Sequence, residues 1–234
     1  MEFKKISAPS LKDLFIRELE SSILSGKLAV GEKLPPEREL ADSMNVSRAV
    51  VNAGVVELAR RGFLVIKPRV GTFVADYRRD GNFETLASIM NYNGGKLRSE
   101  EIKSILELAI AVDIMALRLS IDTITPEEIG ILTRYAEELR SAQTPEEAAG
   151  LVYNFQHEFA ILSGNTLIPL IISSFKVPIT TLWQRYFTLY GAEVMYENNI
   201  GLCQLIQARD LEGAEAHVTH VMMDSIHGNR PIYY

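Results

Sequence analysis

In 234 residues only two short runs have the composition of strands, Phe63-Leu64-Val65-Ile66 and Gly71-Thr72-Phe73-Val74. Lys67-Pro68-Arg69-Val70 joins them, so together they predict one hairpin with a basic tip. Elsewhere the apolar residues recur at helical spacing. A chain with a single hairpin cannot build a large sheet, and the expected fold class is mostly α.

Three helices are predicted before the hairpin. Ser10 caps the first, with Asp13 three residues on as an acidic capping-box partner, and Gly26 ends it. Leu11, Leu14, Phe15, Leu19, Ile23 and Leu24 supply its apolar stripe. Pro36 is placed at the first position of a short second helix that breaks at Asn45-Val46. Ser47 caps the third, Val50, Val51, Val55 and Leu58 give it a buried stripe, and Gly62 ends it.

Past the hairpin, polar residues 77–82 read as a linker. From Phe83 the pattern predicts helices over 83–91, 99–121, 126–141, 145–163, 166–189, 192–208 and 210–227. Gly94-Gly95, Thr125-Pro126, Thr144-Pro145 and Ser163-Gly164-Asn165 separate them. The expected organisation is a helical head with a hairpin over 8–76, a linker over 77–82 and an antiparallel all-α bundle over 83–228.

The chain is 47% hydrophobic and 23% charged, the proportions of a globular protein. A lone cysteine, Cys203, cannot form an internal disulfide, which suits a reducing, cytoplasmic setting. The longest apolar run, Leu167 to Ile172, contains Pro169 and is far short of a membrane span, and Met1 to Lys5 lead into no signal-peptide core. No membrane partner is expected. Charge is uneven: residues 1–80 carry a net +3 and the remainder −9, while 46–79 alone carry +5. A basic head on an acidic body suits a polyanion-binding module joined to a second domain.

A helix pair with a short turn, preceded by one helix and followed by a basic hairpin, describes a winged helix-turn-helix. The second helix of such a pair lies in the major groove, with its N-terminal side chains at base edges. Here it begins Ser47-Arg48-Ala49. Arg48 can donate two hydrogen bonds to guanine, and Ser47 can cap the helix while bonding a phosphate. Arg38 is placed to reach phosphate or a flanking base. Lys67 and Arg69, beside Gly71 and Thr72, either enter the adjacent minor groove or only solubilise the hairpin. Asn52 either reads a base or is a polar surface residue.

Leu34-Pro35-Pro36-Glu37-Arg38-Glu39-Leu40-Ala41, Val46-Ser47-Arg48 and Gly71-Thr72-Phe73-Val74 resemble the DNA-binding domain of the GntR family of bacterial transcription regulators. The helical remainder resembles the effector domain of its FadR branch, on Tyr153-Asn154, Ser163-Gly164-Asn165 and Arg185-Tyr186-Phe187. This resemblance implies a homodimer on a pseudopalindromic double-stranded DNA operator, a metabolite-responsive repressor whose effector binds the bundle. The chain departs from the family pattern at Asn52 and Ala53, where arginine and glutamate are usual, and at Arg69, where glycine is usual. Arg69 adds a positive charge but would be strained in a left-handed conformation.

Many members of the family hold a divalent metal with one Asp and three His. Aligned on Ser163-Gly164-Asn165 the first two positions fall on Val152 and Gln156, and aligned on Gln207-Ala208-Arg209-Asp210 the other two fall on Asn199 and Val221, none the expected ligand. His157 and His220 lie one residue away, a rotation of about 100° around a helix. No metal or other cofactor is therefore expected; were one bound, His157, His217 and His220 would be its ligands. For an organic acid or acyl-CoA effector the polar candidates are Asp113, Asn154, His157, Arg185, Tyr186, Asn199, His217 and His220, each either a ligand contact or an interhelical hydrogen-bonder. Ala109 stands where an arginine is common in this branch, and Thr219 to Met223 lack the glycine of the acyl-CoA contact pattern. No Gly-rich phosphate loop, nucleophile elbow or His-Glu-x-x-His pair is present, so no enzyme is expected. A metal-dependent enzyme and a non-DNA interaction module are the alternatives.

Overall fold

The computed structural model describes residues 9–92 and 99–233, and the chain divides into two compact units after Tyr92. Residue 8 and the stop at Gly94-Gly95 lie outside the described residues. In the first unit come α1 (Leu11–Leu24), α2 (Glu37–Ser43), α3 (Arg48–Arg60), β1 (Leu64–Lys67), β2 (Gly71–Val74), α4 (Tyr77–Asp80) and α5 (Phe83–Asn91). The Ser10 side chain accepts from the Asp13 amide at 3.1 Å while the Asp13 carboxylate accepts from the Ser10 amide at 3.2 Å, closing the capping box. Ser47 caps α3 by accepting from the Val50 amide at 3.3 Å. Pro36 is the N-cap of α2 rather than its first helical residue. Its extended ψ of 145° turns the chain into the helix one residue later.

Phe15, Leu19, Val51, Val55, Leu58 and Phe63 form the core of this unit. Where α1 meets α3, Gly54 provides the room: a Cβ there would stand 2.3 Å from a carbon of the Phe15 ring. The hairpin pairs antiparallel from Leu64 opposite Val74 to Lys67 opposite Gly71. The open edge of β2 is covered by the segment before α2, through Gly31 to Val74, Val74 to Glu32 and Leu34 to Thr72 backbone bonds of 2.9 Å.

Two expectations for the junction are corrected. Residues 77–80, read as linker, form the single turn α4. Helix α5, assigned by periodicity to the bundle, belongs to the N-terminal unit. Thr85, 3% exposed, donates its hydroxyl to the Arg61 carbonyl, Asn82 donates to the Arg60 carbonyl at 3.0 Å, and Glu84 pairs with Arg60. These bonds satisfy the carbonyls at the end of α3, a requirement that periodicity cannot reveal.

The second unit comprises α6 (Ser99–Ser120), α7 (Pro126–Glu138), α8 (Pro145–Leu162), α9 (Ile168–Ser174), α10 (Lys176–Tyr190), α11 (Glu193–Gln207) and α12 (Leu211–Ile226). Thr125 and Thr144 cap α7 and α8 as their Thr-Pro-Glu-Glu sequences predict. Helix α8 packs on α10, α6 on α12, and α7 on both α8 and α11. The single helix expected over 166–189 is two, broken at Phe175. Pro178 lacks the amide that would donate to Ser174, which leaves that turn open. No helix among the described residues is long and apolar enough to cross a membrane.

Candidate nucleic-acid interface and bundle cavity

The solvent face of α3 carries Arg48, Ala49, Asn52, Ala53, Val56 and Arg60. Arg48 is exposed on the first turn and has no carboxylate partner among the described residues. Its guanidinium is therefore free beside the positive end of the helix. Asn52 is not free: its side-chain amide donates to Glu37 at 3.1 Å, tying α3 to the start of α2. Arg38 is exposed and only loosely paired, 3.9 Å from Asp42.

Not all the basic residues of the head face outward unpaired. Arg61 bridges Glu57 at 2.9 Å and Glu20 at 3.0 Å, and Arg60 pairs with Glu57 at 2.8 Å. Hydrogen bonds from Arg60 and then Arg61 hold the Glu57 carboxyl at about 2. Part of the positive charge counted along residues 46–79 is thus paired with carboxylates of the same unit. Among residues 46–79, the exposed basic residues with no ion-pair partner among the described residues are Arg48, the wing residues Lys67 and Arg69, and Arg78.

At the wing, the exposed Lys67 holds its ammonium 4.8 Å from the centre of the Phe73 ring, a cation–π contact. Arg69 has φ 64°, the left-handed conformation that glycine would adopt without strain. Gly71 has φ 138°, and a Cβ there would stand 2.6 Å from the Lys33 side chain. Thr72 is half-buried in β2.

In the bundle, α6, α8, α10, α11 and α12 line a partly open cavity of about 40 Å³. Of the eight polar residues proposed from the sequence, Asp113, Asn199 and His217 line it. The others do not. Asn154 and His220 are exposed. His157 shares a 2.9 Å hydrogen bond with Ser173 and stacks on Tyr153. Arg185 donates to the Tyr233 carbonyl at 3.0 Å and the Ile232 carbonyl at 3.2 Å. Tyr186 is buried edge-on against Trp183 and Phe187.

Sequence reasoning missed Gln156, which lines the cavity and accepts from the Trp183 indole at 3.3 Å. A signal for it existed. The four positions where relatives place metal ligands, Val152, Gln156, Asn199 and Val221, all line this one cavity. Two of them are aliphatic and two are amides, so the residues present do not fit a divalent cation. Among the described residues no three His, Cys, Asp or Glu side chains gather for a metal.

The polar lining is underemployed. His217 bonds the Asn198 carbonyl at 2.8 Å, but the side-chain nitrogen of Asn199, a residue 8% exposed, has no partner. Asp113, 9% exposed, makes no hydrogen bond or ion pair among the described residues. Burial away from water pushes its carboxyl up to about 7. Cys203 is buried as well, and desolvation raises its thiol to about 11, which leaves no thiolate for nucleophilic chemistry near neutrality.

The model of bacterial regulatory proteins of the gntR family matches residues 15–74, and that of the FCD domain matches residues 104–224, more than half of the chain. The chain belongs to the gntR family, with an FCD domain after its winged helix. This is a family of transcription regulators, not enzymes. The HTH-type transcriptional regulator Mce2R of Mycobacterium tuberculosis is 26% identical over 63% of this chain, and the match spans 60% of that regulator's length. The fatty acid metabolism regulator protein of Shewanella pealeana is 29% identical over 74% of this chain and 71% of its own. A solved structure of Lar, described as controlling the Listeria monocytogenes agr system, superposes with a TM-score of 0.61 at 13% identity. It covers 94% of this chain and 96% of Lar, and the likeness is one of fold.

Proposed function

We propose that this gntR-family chain is a sequence-specific transcription regulator, a metabolite-responsive repressor that acts as a cytoplasmic homodimer on a pseudopalindromic operator. The observation that carries the reading is the unpaired Arg48 on the first turn of a capped, solvent-facing helix, within the same unit as a basic wing. Arg48 is the base-reading residue, Ser47 and Arg38 serve phosphate, and Ala49 sits close to the groove floor. Lys67 and Arg69, with Gly71 and Thr72 shaping the wing, supply the flanking contacts. Asn52 is an internal brace to Glu37 in the free protein.

The FCD domain holds the effector in the cavity between α6, α8, α10, α11 and α12, and no metal is required. Effector binding favours one arrangement of the bundle over another and so changes operator affinity by population shift. Fluorescence anisotropy on operator DNA tests the head. Arg48→Ala is expected to lose about 1–3 kcal/mol of specific binding, while non-specific binding falls much less. Unchanged operator affinity in that variant contradicts the assignment.

A further inference from the structure

The bundle cavity has no fixed cation in its lining. No lysine or arginine lines it, and Asp113 and His217 are its titratable side chains. Two residues of its lining, Asp113 and Asn199, are each more than nine-tenths buried; the Asn199 side-chain nitrogen has no partner, and the Asp113 carboxyl makes no hydrogen bond or ion pair among the described residues. Unpaired buried groups of this kind are stabilised by whatever ligand completes them. A carboxylate in a desolvated site calls for a cation or a strong donor, and an amide nitrogen calls for an acceptor. The remaining wall is apolar and aromatic, including Phe155, Phe159 and Trp183, surfaces that tolerate an ammonium far better than a second anion. An organic acid or acyl-CoA head group would enter beside Asp113 with no lysine or arginine to balance it.

We propose that this cavity binds a small primary amine that also carries a hydrogen-bond acceptor, with its ammonium on the Asp113 carboxylate and its acceptor on the Asn199 amide. The proposal rests on the reading of the bundle as the effector domain. The room available, about 40 Å³, is that of one or two water molecules. The polar head is therefore compact, and side chains must yield for anything larger.

The occupant changes the protonation of the site. With its carboxyl near 7, Asp113 is largely protonated at pH 6 and ionised at pH 8. A bound ammonium requires the ionised form, so binding releases a proton to solvent and affinity rises with pH. His217, from α12, is the other titratable group facing the cavity; α8, α10 and α11 contribute none to its lining.

Isopropanolamine, propylene glycol and lactate share one carbon skeleton and differ in head group: cation, neutral, anion. Amide chemical-shift titration of the labelled full chain with each probe tests the proposal at millimolar concentrations. Isopropanolamine is expected to bind saturably, about tenfold more tightly at pH 8 than at pH 6, with lactate much weaker. The pH dependence is expected to vanish in Asp113→Asn and to persist in His217→Gln, whatever the affinity of the latter. Tighter binding of lactate, or affinity that falls as pH rises, would overturn the amine. Absence of saturable binding by all three probes, or equal binding by them, also overturns it. Neither result touches the head, because operator binding by the Arg48→Ala pair is measured without effector.

Discussion

Arg69 and Asp113 each hold a conformation or an environment that their residue type disfavours. The left-handed backbone at Arg69 costs about 1 kcal/mol relative to glycine. Arg69→Gly is therefore expected to raise the stability of the head by about 0.5–1 kcal/mol. The same change removes a wing cation. DNA affinity should fall, and the slope of log affinity against log salt should flatten by about one unit. Denaturant melts and salt titrations check the two halves separately; a more stable head with an unchanged salt slope would mean that Arg69 does not meet phosphate. At Asp113 the folded carboxyl titrates near 7, above the 3.8 of an ordinary aspartate. The unfolded chain ionises first, so stability is lost as pH rises from about 4 to 7 and is flat above. Asp113→Asn should remove that slope and stabilise the bundle at pH 8 by about 2–4 kcal/mol. Calorimetry across this range checks it, and parallel profiles for the two proteins would contradict the assignment. Neither property was equally visible in the sequence. The strain at Arg69 was legible because the family resemblance places glycine at that hairpin tip, and the turn sets its backbone locally. The isolation of Asp113 was not, because it depends on what four other helices place opposite.

Among the elements, α3 depends on α1 through a single missing methyl group. A glycine inside a helix ordinarily costs about 1 kcal/mol against alanine. Gly54→Ala is nonetheless expected to destabilise the head by about 1–3 kcal/mol, because the new Cβ would collide with the Phe15 ring, itself 1% exposed and unable to swing away. Chemical denaturation measures the sign; a more stable variant would show that the helices separate readily at this crossing. Caps were the most legible part of the fold, since Ser10, Ser47, Thr125 and Thr144 each bond a backbone amide three residues away. Docking was the least. Helix α5 has the periodicity of a bundle helix, but Thr85 and Glu84 commit it to the end of α3. The break at Phe175 was hidden for a related reason: Leu167 to Tyr190 reads as one apolar pattern, and only Pro178 marks the turn. The cavity had a partial signature in the four aligned positions on α8, α11 and α12. Their chemistry does not fit a divalent metal, but the alignment had already marked where the helices face one another.

At the scale of the whole molecule, family membership joins a winged helix to an FCD domain in one chain. A free Arg48 and a strained cationic wing in one unit, and an unsatisfied polar cavity in the other, give each unit something to bind. The central claim is that the first of these reads DNA sequence and that two copies read it together. Selection of binding sites from random duplex DNA by the purified full chain, at two salt concentrations, tests it most directly. The account predicts an enriched two-fold symmetric site whose affinity falls as salt rises. No enriched site even at low salt, or an enriched site bound equally well by Arg48→Ala, would contradict it.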